Sequence, residues 1–124
     1  MAATKSVIST YASSYLTSYS VSLAAMGDSV MNIDMTVLGT TTMDKVGVDK
    51  VYIEERVNGV WRELDTLYGS DNSDFYMYNK VMYSGEVNFT GIPGRSYRVT
   101  LSVYAENDGG YDTGTILSQT VVCK

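Results

Sequence analysis

Hydrophobic and polar positions alternate along most of this chain. From Tyr97 the odd positions Tyr97, Val99, Leu101, Val103 and Ala105 are apolar, while the even positions Arg98, Thr100, Ser102, Tyr104 and Glu106 carry polar groups. A strand buried on one face produces that period of two. The same alternation runs through Tyr19, Val21, Leu23 and Ala25, which predicts strand A, and through Met31, Ile33, Met35 and Val37, which predicts strand B. "MYNKVMYSGEVNFT" predicts strand E with Val87 and Phe89 inward, and "TILSQTVV" a final strand G.

Between strands B and E, "VYIEERVNGVWRELDTL" predicts a hairpin of strands C and C′. Asn58 and Gly59, flanked by Val57 and Val60, are a strong short-range turn signal, because a type I′ turn needs positive φ at both central residues. Pairing Val57 with Val60 places Arg56 opposite Trp61, Glu55 opposite Arg62, Glu54 opposite Glu63 and Ile53 opposite Leu64. Ile53, Leu64, Val57 and Val60 then share one face with the Glu55/Arg62 pair. Tyr52, Glu54, Arg56, Trp61, Glu63 and Asp65 share the other. "LGTTTMDKVGVDK", "YGSDNSD" and "ENDGGYDTG" read as turn-rich connections. Residues 1–14, rich in Ser, Thr and Ala without sustained periodicity, read as a flexible lead before a domain spanning 15–124. The total is about seven strands and no helix.

A chain of 124 residues with 44% hydrophobic content is one domain's worth and can bury most of its surface without a metal or disulfide. No apolar run reaches the ~20 residues of a membrane-spanning helix. The net charge of −5 argues against nucleic acid and anionic membrane surfaces as partners. Cys123 is the single cysteine, so no intrachain disulfide forms; a disulfide between two copies is the minority alternative. The opening "MAATKS" lacks the apolar segment of a secretory leader and fits a stub left where a leader was replaced by an initiator Met. The Ser-, Thr- and Tyr-rich, Lys-poor composition fits a secreted bacterial protein.

Gly91, Pro93 and Gly94 form a turn that feeds Tyr97 at the start of its strand. This combination resembles the F strand of fibronectin type III and other immunoglobulin-like domains. The resemblance implies an antiparallel β-sandwich over residues 15–122, with the Tyr97 hydroxyl bonded to backbone a few residues upstream. The chain departs from fibronectin type III in lacking a strand B tryptophan, where Met31, Ile33 and Met35 stand. "YLTSYS", "GTTTMDKVG" and "SGEVNFTGIPGRSY" are also similar to small uncharacterised secreted domains of gut-dwelling Gram-positive bacteria. That likeness implies a secreted or cell-surface module with no assigned activity.

Chemistry is sparse. With no histidine, Ser-His, Cys-His and histidine–metal systems are excluded. Glu54 opposite Glu63 has the arrangement of a glycosidase carboxylate pair, but a flat sheet offers no pocket, and the expectation is a non-enzyme with no cofactor. Asp71, Asn72 and Asp74, and Glu106, Asn107, Asp108 and Asp112, offer oxygen ligands for calcium. Neither group matches a calcium-binding loop, and these are ordinary turn residues, so no metal is expected. Asn88 in "NFT" matches a glycosylation acceptor inside a predicted strand, read as chance. Trp61, Arg56 and Tyr52 share the outward face, and if strand C pairs with F as in the resembled sandwich, Arg98 and Tyr104 join them. An outward Trp amid Tyr and Arg has the composition of an interaction hot spot. The expected function is a binding module for a protein or glycan partner. The alternative is a structural subunit of an extracellular assembly, with homo-oligomerisation through its N-terminal strand or a sheet edge.

Overall fold

The computed structural model describes residues 3–10 and 13–124. Eight strands follow in order: β1 (Ala3–Thr10), β2 (Leu16–Gly27), β3 (Val30–Val57), β4 (Val60–Tyr68), β5 (Tyr76–Thr90), β6 (Ser96–Asn107), β7 (Gly110–Leu117) and β8 (Val121–Val122). All their pairings are antiparallel and belong to one sheet. Among the described residues the helical structure amounts to two 3-10 turns, Gly69–Asp71 and Ser73–Phe75.

β3 is the spine. Its first half lies between β2 and β5, with Ile33 opposite both Leu23 and Val87. Its second half lies between β4 and β6, with Ile53 opposite Asp65 and Val99. Where the halves meet, Lys45, Val46 and Gly47 pair with β5 on one side and β6 on the other. β1 extends the first half beyond β2, and β7 and β8 extend the second beyond β6. The sheet therefore curls about β3, and its inward positions form one core. Val21, Leu23, Ile33 and Met35 from one half, and Val51, Ile53, Val99 and Leu101 from the other, are buried in it. Each such side chain stabilises the fold by roughly 1.5–3 kcal/mol.

Four expectations are corrected. The sheet has eight strands, because residues 3–10 form β1 and pair with β2 throughout their length; a strand needs only backbone partners and one apolar anchor, here the half-buried Val7. The rest of the expected lead at residues 1, 2, 11 and 12 lies outside the described residues. "LGTTTMDKVGVDK" is part of β3 rather than a connection: Met43, Val46 and Val48 are buried. Residues 39–42 bulge out of the β5 ladder, and the Thr40 N–H donates to the Tyr15 carbonyl at 3.0 Å. Leu64 does not face Ile53. A bulge after Glu63 puts Asp65 opposite Ile53 and leaves Leu64 exposed, a distortion common on edge strands such as β4. The expected strand G is split and begins earlier. β7 starts at Gly110 and ends at Leu117, and Ser118 bridges the break, with its N–H donating to the Val99 carbonyl at 2.8 Å and its Oγ accepting the Val99 N–H at 2.9 Å.

The hairpin at Asn58 and Gly59 has φ of 51° and 78° at these two residues. Val57 pairs with Val60, Arg56 with Trp61, Glu55 with Arg62 and Glu54 with Glu63. Cys123 is a free, buried thiol, and a side chain at Gly91 would collide with it, a Cβ there lying 2.9 Å from Sγ.

Candidate binding face

The geometry of the outward face starts from a buried hydroxyl. Tyr97 is fully buried at the start of β6, where its Oη accepts the Ile92 N–H at 2.7 Å and donates to Glu55 Oε2 at 2.5 Å. Burial, and then the bond to Glu55, push its pKa up to about 12. Arg95 Nη1 holds the other Glu55 oxygen at 3.2 Å. This knot ties the turn before β6 to β3 and fixes the register in which Glu54 stands opposite Arg98 and Tyr52 opposite Thr100.

Because Tyr97, Val99, Leu101, Val103 and Ala105 point inward, Arg98, Thr100, Ser102 and Tyr104 point outward, as do Tyr52, Glu54, Arg56 and Trp61. All five residues expected at a binding site thus lie on one face, but in two groups. At one end the half-buried Trp61 lies under two guanidinium groups, Arg98 at 4.2 Å from the ring centroid and Arg56 at 6.0 Å. Arg98, not the directly opposite Arg56, is the nearer cation. Glu54 accepts from Arg98 Nε at 2.8 Å and aims the guanidinium diagonally across β3. Tyr52 stands next along β3, with Lys50 Nζ 5.9 Å from its ring centroid.

Tyr104 is six residues beyond Arg98, roughly 20 Å away at the rise of a strand. It belongs to a second group that sequence reasoning missed. Its ring stacks on Tyr111 with centroids 5.6 Å apart and an interplanar angle of 26°. Lys45 Nζ lies 5.5 Å from the Tyr104 centroid and 4.1 Å from that of Tyr76. Tyr104 Oη donates to Glu106 Oε1 and Tyr76 Oη to Asp49 Oδ1, each at 2.5 Å. Burial and then the carboxylate bond push the Tyr104 pKa up to about 12, and the same two causes raise that of Tyr76 further. Gly47 makes this row feasible. A Cβ there would meet the Phe75 carbonyl oxygen at 2.0 Å, so only glycine lets β5 deliver Tyr76 beside β3.

One signal for this group was in the sequence. Asp108 and Gly109 are a second Asx-Gly pair, with φ of 52° and 80°, and they close a two-residue hairpin in which Asn107 pairs with Gly110. Such a turn predicts Tyr111 opposite Glu106 and Thr113 opposite Tyr104, as observed.

The other candidate groups do not converge. Glu54 and Glu63 are directly opposite, yet Glu54 is bound to Arg98, and Glu63 Oε2 accepts the Thr66 hydroxyl at 2.6 Å. Asp71, Asn72 and Asp74 lie in or between the 3-10 turns, where Asn72 Nδ2 donates to the Tyr68 carbonyl. The Asp108 N–H donates to Asp44 Oδ2, and among the described residues no three carboxylates or thiols gather at a metal-sized site. Asn88 faces out from β5, accepting from Asn32 Nδ2 at 2.7 Å. Beside it Asp34 and Glu86 are cross-strand neighbours, and burial, then the Glu86 carboxyl, raise the Asp34 pKa. No family model, curated protein or solved structure matches the chain.

Proposed function

We propose that this chain is a non-catalytic, immunoglobulin-like binding module, secreted or displayed at a cell surface, that holds a protein or glycan partner on the outward face of β4, β3, β6 and β7. The strand pairing supports the sandwich reading. The first half of β3 lies with β2 and β5, and the second with β4, β6 and β7, which corresponds to strands A, B and E against C′, C, F and G. The Tyr97 hydroxyl on the Ile92 N–H fits the tyrosine corner of such domains.

The observation that carries the binding reading is the run of aromatic and cationic side chains on one open face, from Trp61 and Arg98 through Tyr52 to Tyr104 and Tyr111. Clustered aromatics and arginines on a surface mark an interface more strongly than scattered ones. Trp61 is the single tryptophan, so its fluorescence reports on this face. Titration with candidate proteins and glycans should shift Trp61 emission, and Trp61→Ala should weaken binding by about 2 kcal/mol or more with little loss of stability. A partner that binds tightly while leaving Trp61 emission and the amide spectra of β3 and β6 unchanged would refute the face.

A second reading, self-assembly through the N-terminal strand, is favoured by the position of β1. It lies at the end of the sheet, paired among the described residues with β2 alone, and the Ser6 and Ser22 hydroxyls bond across the pair at 2.5 Å. Exchange of β1 between copies would keep every pairing while joining two chains. Light scattering across a concentration series, with and without residues 1–14, tests it: a monomer at all concentrations excludes the exchange.

A further inference from the structure

We propose that the tyrosine row around Lys45 is a subsite for a neutral, hydroxyl-rich oligosaccharide. The inference rests on the outward-face reading above and assigns it a place and a ligand chemistry.

The row crosses four strands. Tyr76 on β5 and Tyr104 on β6 flank the side-chain-free Gly47, with Lys45 Nζ between their rings, and Tyr111 on β7 extends the stack. At a strand spacing of about 4.8 Å it spans roughly 15 Å, longer than one sugar ring. Tyr111 is 62% exposed and Tyr78, which pairs with Lys45, is 57% exposed. One face of Tyr111 lies against Tyr104 and the remainder is open.

Charge decides what fits. Asp49 and Glu106 hold the tyrosine hydroxyls and Lys45 is the cation over the rings, so these three groups carry a formal charge of about −1 in a chain of net −5, which disfavours anionic ligands. A cationic ligand is disfavoured as well, because Lys45 already occupies the space over the Tyr76 and Tyr104 rings where a cation would be held. Each carboxylate accepts one tyrosine hydroxyl and keeps lone pairs for further donors, and the ammonium has three donors of its own. The open ring surface of Tyr111, with these acceptors and donors further along the row, matches a pyranose, whose C–H face is apolar and whose hydroxyls radiate from its edge. The neighbouring outward positions Thr100, Ser102, Thr113 and Thr115 add hydroxyls that a sugar can bond, and the exposed Leu117 lies beyond them at the far end of β7.

The test uses the full chain, with cello-, laminari-, xylo- and maltohexaose as neutral probes and a heparin hexasaccharide as the anionic arm, followed by calorimetry and amide spectra. At least one neutral hexaose should bind and shift amides at 45–47, 76–78, 104–106 and 110–113. Tyr111→Ser and Tyr104→Ser should each weaken it by about tenfold or more, while Ser84→Ala on β5 should leave it unchanged. Tyr111 is exposed, so its variant keeps the fold even if Tyr104→Ser does not. Binding of heparin alone, or of no neutral hexaose at about 10 mM, overturns the subsite. So does binding abolished by Trp61→Ala but untouched by Tyr111→Ser, a result that would keep the outward face and move the site to its other end. A protein partner that shifts Trp61 emission while no hexaose binds would likewise keep the face and overturn the inference.

Discussion

Removing one oxygen atom from Tyr97 should be among the costlier single-atom changes in this protein. In Tyr97→Phe the ring keeps its place in the core, but the Ile92 N–H loses its acceptor and Glu55 loses a donor. A neutral hydrogen bond contributes a net ~0.5–1.5 kcal/mol and one to a charged group ~1.5–3 kcal/mol, so the two bonds set a range of about 2–4.5 kcal/mol. The lower end is expected, because Glu55 keeps Arg95 at 3.2 Å and its side chain retains 14% exposure, enough for water to replace part of the loss. At a urea slope of about 1–3 kcal/mol/M, a loss of about 2 kcal/mol lowers the midpoint by roughly 1 M, while the far-UV spectrum stays β-rich. Glu55→Gln keeps an acceptor for the tyrosine and should cost less. The double variant should cost less than the two single losses combined, since both touch the same bond. A midpoint for Tyr97→Phe within about 0.3 kcal/mol of wild type would show that water satisfies these groups as well as the hydroxyl does, and would refute the structural role given to the knot.

Gly47→Ala puts a Cβ 2.0 Å from the Phe75 carbonyl oxygen, so β5 must move; a destabilisation of about 1–3 kcal/mol or more is expected by urea unfolding, with loss of the Lys45 contact to Tyr76. Gly59→Val forces φ near 78° on a β-branched residue and should cost about 1–2 kcal/mol in the same assay, whereas a cost near zero would show that the turn rearranges freely. Stability should fall at alkaline pH: Tyr83, Tyr97 and Tyr104 have pKa values pushed up to about 12, against an ordinary value of about 10 in the unfolded chain. The unfolded chain therefore releases these protons first, so this contribution is intact below about pH 10 and is lost as pH rises through about 12. A urea midpoint that stays flat from pH 8 to pH 11 would contradict it.

What the sequence made legible was whatever depends on period two and on turns with a fixed backbone demand. The alternation from Tyr97 to Ala105 and the Asn58–Gly59 pair predict β6, the hairpin and the outward direction of Trp61, because side-chain facing follows from strand geometry alone. What stayed hidden depends on partners. Ser and Thr in β1 are too polar to mark a buried face, and only the backbone of β2 turns that segment into a strand. Gly39, Thr40 and Thr41 look like a turn. They bulge from a continuous β3 because residues 13–17 wait nearby to accept and donate their hydrogen bonds, including Thr17 Oγ1 to the Gly39 carbonyl. The bulge at Leu64 has no sequence mark of its own. Lys45, Tyr76 and the Tyr104–Tyr111 hairpin come from three distant segments and meet only through the pairing of β5 and β6 with β3.

The division between the two faces of β3 and β6 makes stability and binding separable by experiment. Inward residues such as Ile53, Val99 and Leu101 have at most 1% exposure, so truncating one leaves a cavity and costs about 2–5 kcal/mol for a Leu or Ile. Outward residues contact each other and water, and an exposed ion pair or cation–π contact is worth about 1 kcal/mol or less. The two faces join at Glu55, which points inward to Tyr97, and Glu54, which points outward to Arg98. A loss of the Glu55 bond would disturb the register that places Glu54, and so reach the Trp61 end of the face. It should leave the Lys45 end nearly untouched, because that end is held by Gly47 and by the pairing of β5 with β3 rather than by the knot at Tyr97. Tyr97→Phe, which removes that bond outright, therefore provides a test of position: amide shifts confined to residues around Trp61 and Arg98, with the spectrum around Tyr104 and Tyr111 unchanged, are expected if the face consists of two independently supported groups.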